Sequence, residues 1–266
     1  MEKNEELKSS AVSDIEAQAS VSPREPLDIS TVMRDFALYC HSQLRSNPLS
    51  EAALYVSEKW KLNNKNVIQL GLGFCGEDQS FLKHLLKSHQ YTTEDLLKAD
   101  VIRLTASGKA QLTMKNGIVI PIISVNGHIV GFDHFSLSRK IVVHHCGHPP
   151  CLYSCNIAVK SNKKSVIITS SYEAYFELFS KGLTNVVMMN RIAACDEQLE
   201  ALKERFKAVI TISDQKITSV CAKFCAANDI FCDQCDLRYY NSGTKYINKN
   251  LKNIIYKVDS YERIFG

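Results

Sequence analysis

The second half of the chain alternates strand-like and helix-like segments, and this alternation constrains the fold more than any other feature. Apolar runs at residues 166–168, 186–189, 209–212 and 230–232 have the length of buried strands, and segments with helical periodicity separate them. Strict alternation requires right-handed crossovers and a parallel sheet covered by helices. The sequence therefore predicts a four-stranded parallel α/β domain over residues 160–245.

The chain before this domain, residues 31–159, has the pattern of a mixed subdomain. Its first part places apolar residues at helical spacing, and from residue 101 onward apolar runs such as residues 118–123 indicate strands. Asn126-Gly127 is a strong signal for a hairpin turn after that run. The predicted N-caps are Ser30, Ser50 and either Thr92 or Thr93, and a further helix is predicted over residues 79–88. The predicted fold class is α/β, with a mixed N-terminal subdomain and a parallel four-stranded sheet with flanking helices.

The two ends of the chain differ in charge. Residues 1–30 carry seven acids and three bases and lack aromatic residues, which predicts a flexible acidic tail. Residues 246–266 are interpreted as a lysine-rich, basic C-terminal extension. The chain has no run near 18 apolar residues and no apolar segment at its start. We therefore expect a cytoplasmic protein that does not insert into a membrane.

The ten cysteines are expected to be reduced thiols. The zinc candidates, which fall in two clusters, are Cys146, His148, Cys151, Cys155, Cys232 and Cys235. A structural zinc site commonly takes its four ligands from two short-spaced pairs at a characteristic separation, and neither cluster has that spacing. A surface loop for the first cluster and core packing for the second are favoured over zinc, and redox chemistry lacks a supporting motif. No metal or cofactor is expected.

Candidate functional residues follow the strands of the parallel sheet, because the crevice of such a sheet lies at the carboxyl ends of its strands. Ser170 and Ser171 follow the first strand, and Ser213, Asp214 and Gln215 follow the third. A Ser–His–Asp hydrolase built from these residues lacks the Gly-x-Ser-x-Gly elbow. A glycine-rich phosphate loop after a strand is also absent from the sequence, which disfavours a nucleotide-binding fingerprint.

Short segments spread over residues 33–235 resemble, in the correct order, the RNA-polymerase core of bacterial replicative primases, whose catalytic half is a Toprim domain. They include Phe36-Ala37-Leu38-Tyr39, Gly71-Leu72-Gly73-Phe74, Ile120-Pro121-Ile122, Gly131-Phe132 and Leu152-Tyr153. The resemblance implies a primase-like N-terminal subdomain followed by a Toprim-like sheet. The family's zinc-binding module and helicase-binding domain are expected to have no counterpart in residues 1–30 or after residue 235.

The resemblance also implies that the catalytic positions are degenerate. Toprim enzymes hold Mg²⁺ with a Glu after the first strand and an Asp-x-Asp pair after the third. The first position falls on Ser170, with Ser171 beside it, and the second falls on Ser213, Asp214 and Gln215. Because Mg²⁺ is a hard ion bound through carboxylates and phosphates, one remaining carboxylate is not expected to retain it. The sequence thus predicts that the protein is not an enzyme.

Three functional hypotheses follow from the resemblance. The first is a catalytically inactive, primase-like scaffold that binds other protein subunits of a cytoplasmic assembly, such as a machine for DNA transfer, conjugation-related secretion or replication. The second is a nucleic-acid-binding protein without chemistry. The basic residues that would line its channel are Lys115, Arg139, Lys140, Lys160, Lys163 and Lys164. The third is residual nucleotidyl transfer that uses a displaced acid such as Glu173.

Overall fold

The computed structural model describes residues 28–77, 82, 91–144, 151–189, 195–236 and 243–265. Within these residues an antiparallel sheet and a parallel sheet, each of four strands, are joined by one hydrophobic core. The predicted α/β fold class is confirmed, with a mixed N-terminal part and a parallel sheet flanked by helices. Residues 1–27, and with them nearly all of the predicted acidic tail, lie outside the described part of the chain.

Among the described residues, the N-terminal part contains four α-helices before the hairpin at residues 102–112. They are α1 (Ile29–Ser46), α2 (Glu51–Leu54), α3 (Asn64–Leu70) and α4 (Thr93–Lys98), and one π-helical turn (Tyr55–Lys59) continues α2. The side chains of Ser50 and Thr92 cap α2 and α4 as predicted, by accepting from the backbone N–H groups of Ala53 and Asp95. The helix predicted over residues 79–88 lies outside the described residues apart from Leu82.

The cap predicted for α1 is wrong by two residues. Asp28, not Ser30, is the N-cap, and its carboxylate accepts from the Ser30 backbone N–H at 2.9 Å. Both residue types are good caps, and here the helix begins two residues earlier than the periodicity alone indicates. The apolar stripe of α1 buries Val32, Phe36 and Cys40 against the antiparallel sheet.

The antiparallel sheet has the strand order β1-β4-β5-β6. The strands of this part are β1 (Gly73–Cys75), β2 (Ile102–Leu104), β3 (Ala110–Leu112), β4 (Gly117–Ile123), β5 (Ile129–Ser136) and β6 (Ile141–His144), with β2 and β3 forming a separate hairpin. The turn predicted at Asn126-Gly127 joins β4 to β5, and the Gly127 N–H donates to the Ser124 carbonyl at 2.9 Å. Glycine is required at Gly73, because a Cβ there would lie 2.6 Å from the backbone of Cys40 in α1.

The parallel sheet has the strand order β10-β9-β7-β8, so the predicted alternation of strand and helix is confirmed. Its elements are β7 (Ser165–Thr169), α6 (Tyr172–Ser180), β8 (Val186–Met188), α7 (Cys195–Lys203), β9 (Ala208–Ser213), α8 (Gln215–Ala227), β10 (Phe231–Asp236) and α9 (Gly243–Phe265). A short helix α5 (Cys155–Ala158) leads into β7. Strand β10 extends four residues beyond the predicted end at Cys232.

One aromatic cluster joins the two sheets. Trp60 lies between Phe135 of β5 and Phe176 of α6, with ring centroids 5.4 Å and 4.3 Å away. Phe135 is fully buried. Aromatic pairs at these distances contribute about 0.5–1.5 kcal/mol each beyond the area that they bury.

The C-terminal segment interpreted as a basic extension forms helix α9, which packs on α6 and the parallel sheet. Its buried side carries Ile247, Ile254, Val258 and Tyr261, at spacings that bring them to one face. The segment after residue 245 is thus continuous with the parallel domain in structure. Within the described residues, α9 and every other helix is too short or too polar to cross a membrane.

Candidate functional site

A cleft of about 260 Å³ lies between β6 of the antiparallel sheet and the carboxyl end of β7. The lining residues are Lys140, Ile141, Val142, His144, Ser170, Ser171, Tyr172, Glu173 and Met188. The cleft therefore takes its walls from both halves of the molecule. It includes both serines that follow the first parallel strand, which is where the crevice of a parallel sheet is expected.

The two serines and Glu173 stand at the start of α6. The Ser171 hydroxyl accepts from the Ala174 backbone N–H at 3.1 Å and so caps the helix. Glu173 lies exposed in the first helical turn and faces the cleft. Burial and the nearby Glu173 carboxylate raise the pKa of Tyr55, and the Lys140 ammonium opposes that change. The start of α6 thus carries two neutral hydroxyls and one carboxylate, which lies within the helix rather than at the end of the strand.

Of the three candidate residues at the end of the third parallel strand, Asp214 has a structural role. Ser213 ends β9 and is buried, and its hydroxyl has no hydrogen-bond partner among the described residues. Asp214 is the N-cap of α8, where one of its carboxylate oxygens accepts from the backbone N–H groups of Lys216 and Ile217 at 2.9 and 3.1 Å. Gln215 is the first residue of α8. Across the part of the chain with described side chains, no three His, Cys, Asp or Glu residues converge to hold a metal.

Asp236 lies at the same edge of the sheet and was missed by sequence reasoning. It ends β10 and pairs in register with Ser213 of β9. The sequence could have revealed Asp236 only if the strand had been continued past Cys232. The polar residues Asp233 and Gln234 interrupt the apolar run and hide that continuation. The carboxyl edge of the sheet therefore carries a second acidic residue beside Asp214.

A buried carboxylate beneath the cleft also escaped the sequence analysis. Asp133 of β5 is 0% exposed, and it accepts from the Tyr172 hydroxyl of α6 at 2.8 Å. The His144 ring of β6 has its Nδ1 2.8 Å from the same Asp133 oxygen. This ring also stacks on the Tyr172 ring, with the two ring centroids 6.2 Å apart. Burial and the Asp133 charge raise the pKa of Tyr172, which keeps its hydroxyl protonated as a donor.

This Asp133–His144–Tyr172 network holds the floor of the cleft in place. A buried charge requires partners, so Asp133 fixes both the Tyr172 ring and the orientation of the His144 ring. The His144 side chain is 42% exposed on the cleft side. The signal available in the sequence was a charged residue within the apolar strand Gly131-Phe132-Asp133, which indicates a buried polar site.

The six basic candidates divide into two groups at different places. Lys115 and Arg139 stand in neighbouring turns at one end of the antiparallel sheet, where Leu137 N–H donates to the Asn116 carbonyl. Lys140 follows Arg139 and reaches the cleft, with its ammonium 2.6 Å from Glu51.

The other three basic candidates precede β7. Lys160, Lys163 and Lys164 are exposed at the amino end of that strand, roughly 16 Å from its carboxyl end at 3.3 Å per residue. The structure therefore does not bring all six bases to one channel. Only Lys140 lines the cleft.

The zinc candidates are only partly described. Cys146 and His148 lie outside the described residues, as does the side chain of Cys235. Cys151 and Cys155 lie close enough to interact, but burial raises the pKa of Cys151 to about 11 and that of Cys155 to about 12. Both therefore remain neutral thiols at physiological pH. Cys232 lies on β10 and interacts with Cys225 of α8.

Comparison with known proteins finds similarity to primases in sequence and in fold. Residues 39–141 match the family model for the N-terminal domain of the DNA primase catalytic core. The DNA primase of Clostridium acetobutylicum is 29% identical over 188 residues, which cover 66% of this chain and 30% of that protein. The DNA primase of Mycoplasma pneumoniae is 26% identical over 193 residues, covering 65% of this chain and 31% of the relative. The chain thus spans about a third of the length of these relatives.

Solved structures of primases share the fold. The Escherichia coli primase catalytic core superposes with a TM-score of 0.73 at 14% identity, covering 88% of this chain and 80% of that one. A DnaG primase catalytic domain bound to single-stranded DNA gives a TM-score of 0.72 at 15% identity, covering 87% of this chain and 80% of that one. The resemblance to the primase core inferred from the sequence is confirmed.

Proposed function

We propose that this chain, which has the fold of the primase catalytic core, is a primase-like protein that makes no primers and serves as a protein-interaction subunit of a larger assembly. The proposed assembly is cytoplasmic and handles DNA, in replication, DNA transfer or a related secretion machine. The whole-protein activity of the relatives named DNA primase is not carried over to this chain.

The proposed loss of catalysis rests on the side chains at the carboxyl ends of β7 and β9. Neutral hydroxyls of Ser170 and Ser171 stand where the family's first acid is expected, and the Asp214 carboxylate is engaged in capping α8. Two-ion phosphoryl transfer needs several carboxylates held around the metal ions. Glu173 projects from within the helix rather than from the end of the strand, and Asp236 stands on the far edge strand.

The interaction role is supported by apolar side chains that remain exposed on an otherwise complete core. Helix α9 buries one apolar face and still exposes Tyr256 at 65% and Ile264 at 67%. In the N-terminal part, Leu49 is 80% exposed. Contiguous exposed apolar patches mark protein–protein contacts, and the proposal places such a contact on the exposed side of α9.

A primer-synthesis assay tests the loss of catalysis. The full chain is incubated with a single-stranded DNA template and ribonucleotides in Mg²⁺ or Mn²⁺, beside the Escherichia coli primase catalytic core as a positive control. We expect no product above background from the wild type, Asp214→Ala or Glu173→Gln. Product from the wild type that disappears in either variant would overturn the proposal and assign residual nucleotidyl transfer to that carboxylate.

The partner is tested by affinity capture from native cytoplasm, with and without nuclease, followed by mass spectrometry. The proposal expects a defined set of proteins that nuclease does not release and that Tyr256→Ala or Ile264→Ser weakens. Capture that disappears on nuclease treatment would instead assign the contacts to nucleic acid.

Non-catalytic binding of nucleic acid is a second candidate, favoured by Lys140 and the half-exposed His144 in the cleft. Fluorescence anisotropy with labelled single-stranded DNA measures it directly. This function requires affinity that falls steeply with salt, that drops in Lys140→Gln and that is unchanged in the control Lys160→Gln, which lies at the other end of β7. Absence of binding at low salt would remove the candidate.

A further inference from the structure

Helix α8 packs against strand β10, and this contact brings two cysteines together. The chain reverses between them, with the N–H groups of Asn228 and Ile230 donating to the Cys225 carbonyl at 3.2 and 3.0 Å. Cys225 is buried in an apolar cluster, and Cys232 packs against the same cluster from β10. The two thiols lie close enough to influence each other's pKa through a hydrogen bond. Cys225 and Cys232, which we call the α8–β10 thiol pair, are therefore in contact across two elements.

The two members of the pair differ in exposure and acidity. Cys225 is buried and Cys232 is partly exposed. The hydrogen bond from Cys225 lowers the pKa of Cys232, and the same bond together with burial raises the pKa of Cys225. Because the thiolate is the reactive form of cysteine, reactivity is concentrated on the sulfur that a solute can reach.

We propose that the α8–β10 thiol pair is a reversible oxidation site, in which Cys232 reacts with a peroxide and Cys225 resolves the product to a disulfide. The Cys232 thiolate attacks one oxygen of hydrogen peroxide, the O–O bond breaks, and hydroxide leaves while a sulfenic acid forms. The Cys225 sulfur then attacks the Cys232 sulfur and displaces the sulfenic oxygen, which departs as water with the Cys225 proton. Two thiols are oxidised and one peroxide is reduced to two waters.

A second thiol pair in the molecule serves as an internal control. Cys40 of α1 and Cys75 of β1 also form a thiol hydrogen bond, but both are fully buried. Burial, followed by the Cys75 bond, raises the pKa of Cys40 well above its usual value. This pair has the same contact without an accessible sulfur, so it should not react while the protein stays folded.

Oxidation would link the end of α8 covalently to β10. Among the described strands, β10 lies at one edge of the parallel sheet. Helix α8 begins at Asp214, and β10 ends at Asp236 beside Ser213. The disulfide would therefore fix the two elements that carry the acidic residues of the carboxyl edge. The inference is independent of the proposed function, because it needs neither a partner nor nucleic acid.

The experiment treats the reduced full chain with hydrogen peroxide, quenches with an alkylating reagent and maps disulfides by mass spectrometry. We expect a Cys225–Cys232 cross-link that dithiothreitol reverses, while Cys40 and Cys75 remain alkylatable after denaturation. A cross-link of Cys232 to Cys235, equal oxidation of both pairs, or no oxidation of Cys232 would overturn the assignment.

Variants separate the reactive sulfur from the resolving one, with circular dichroism confirming that each is folded. Cys232→Ser should lose the cross-link and the fast peroxide reaction. Cys225→Ala should accumulate a dimedone-trapped sulfenic acid on Cys232, and the pH midpoint of Cys232 alkylation should move upward. Cys225→Ser retains a hydrogen-bond donor, so its midpoint should stay nearer to that of the wild type. A Cys232 midpoint unchanged in Cys225→Ala would contradict the role of Cys225.

Discussion

The two ends of the strands in the parallel sheet, which we call its amino edge and its carboxyl edge, are held by different contacts. At the amino edge, Glu262 of α9 accepts from the backbone N–H groups of Lys164 and Ser165 at 2.8 and 3.1 Å, and from the Ser165 hydroxyl. At the carboxyl edge, the buried Asp133 binds Tyr172 and leaves its second partner, His144, half-exposed in a cleft. Glu262 holds backbone N–H groups at the start of β7, whereas Asp133 holds two side chains that line a cleft. The same strands are thus held through backbone N–H groups at one end and through a side-chain network beside a cleft at the other.

The largest expected effect is at the carboxyl edge. Asp133→Ala should lower the free energy of unfolding by about 3 kcal/mol, because it leaves the buried Tyr172 hydroxyl without its acceptor and removes a partner of His144. Urea denaturation measures the loss, and Asp133→Asn, which keeps an acceptor for Tyr172, is the matched control. Equal losses in the two variants would show that the charge, rather than the hydrogen bond to Tyr172, is what matters.

The amino edge should be next in size. Glu262→Ala should lower the free energy of unfolding by about 2 kcal/mol, because a charged acceptor of several hydrogen bonds is lost. Glu262→Gln retains one acceptor oxygen and should lose less. If Glu262→Ala melts like the wild type, α9 does not secure this edge and the contrast between the edges fails.

Alkaline pH should weaken the contact between Tyr172 and Asp133 at the carboxyl edge. The folded pKa of Tyr172 is raised above its ordinary value, so the folded state holds that proton more tightly than the unfolded state. The associated stability is present below about pH 10 and is lost as pH rises toward the folded pKa, by at most about 1.4 kcal/mol per pH unit. Unfolding measured between pH 9 and 11 should therefore show a shallower decline in Tyr172→Phe than in the wild type. Parallel declines would contradict the assignment.

The smallest expected effect concerns Asp214. Asp214→Ala should lower the free energy of unfolding by about 1 kcal/mol through loss of the α8 cap, and Asp214→Asn should be close to neutral because Asn caps as well as Asp. Thermal unfolding of both variants checks this. A larger loss in Asp214→Asn than in Asp214→Ala would indicate a role for the charge beyond capping.

The sequence predicted the elements whose signals are local. The apolar run of β4 with Asn126-Gly127 specified a hairpin, and the four apolar runs after residue 160 specified the parallel sheet. Helix α9 was missed as a packed element, because its lysines conceal an apolar stripe spaced over Ile247, Ile254 and Val258. Strand β1 has only three residues and forms by pairing with β4, which no local pattern reveals.

The sequence led to part of the candidate site only. The rule that function follows the carboxyl ends of parallel strands led to Ser170 and Ser171, which line the cleft, and to Asp214, which caps α8 and is not among the residues that line the cleft. The partnership of Asp133, His144 and Tyr172 joins three elements distant in sequence, so only the tertiary structure brings it together. Lys160 shows the converse error, because closeness to β7 in the chain placed it at the wrong end of that strand.

The position of Trp60 makes the joint between the two sheets observable in solution. It is the single tryptophan of the chain, and it is wedged between a ring from β5 and a ring from α6. Its fluorescence therefore reports on the contact between β5 and α6 and on no other part of the protein. Any ligand, subunit or oxidant that parts the halves, even slightly, will change the emission of this indole, so relative movement can be followed without attaching a label.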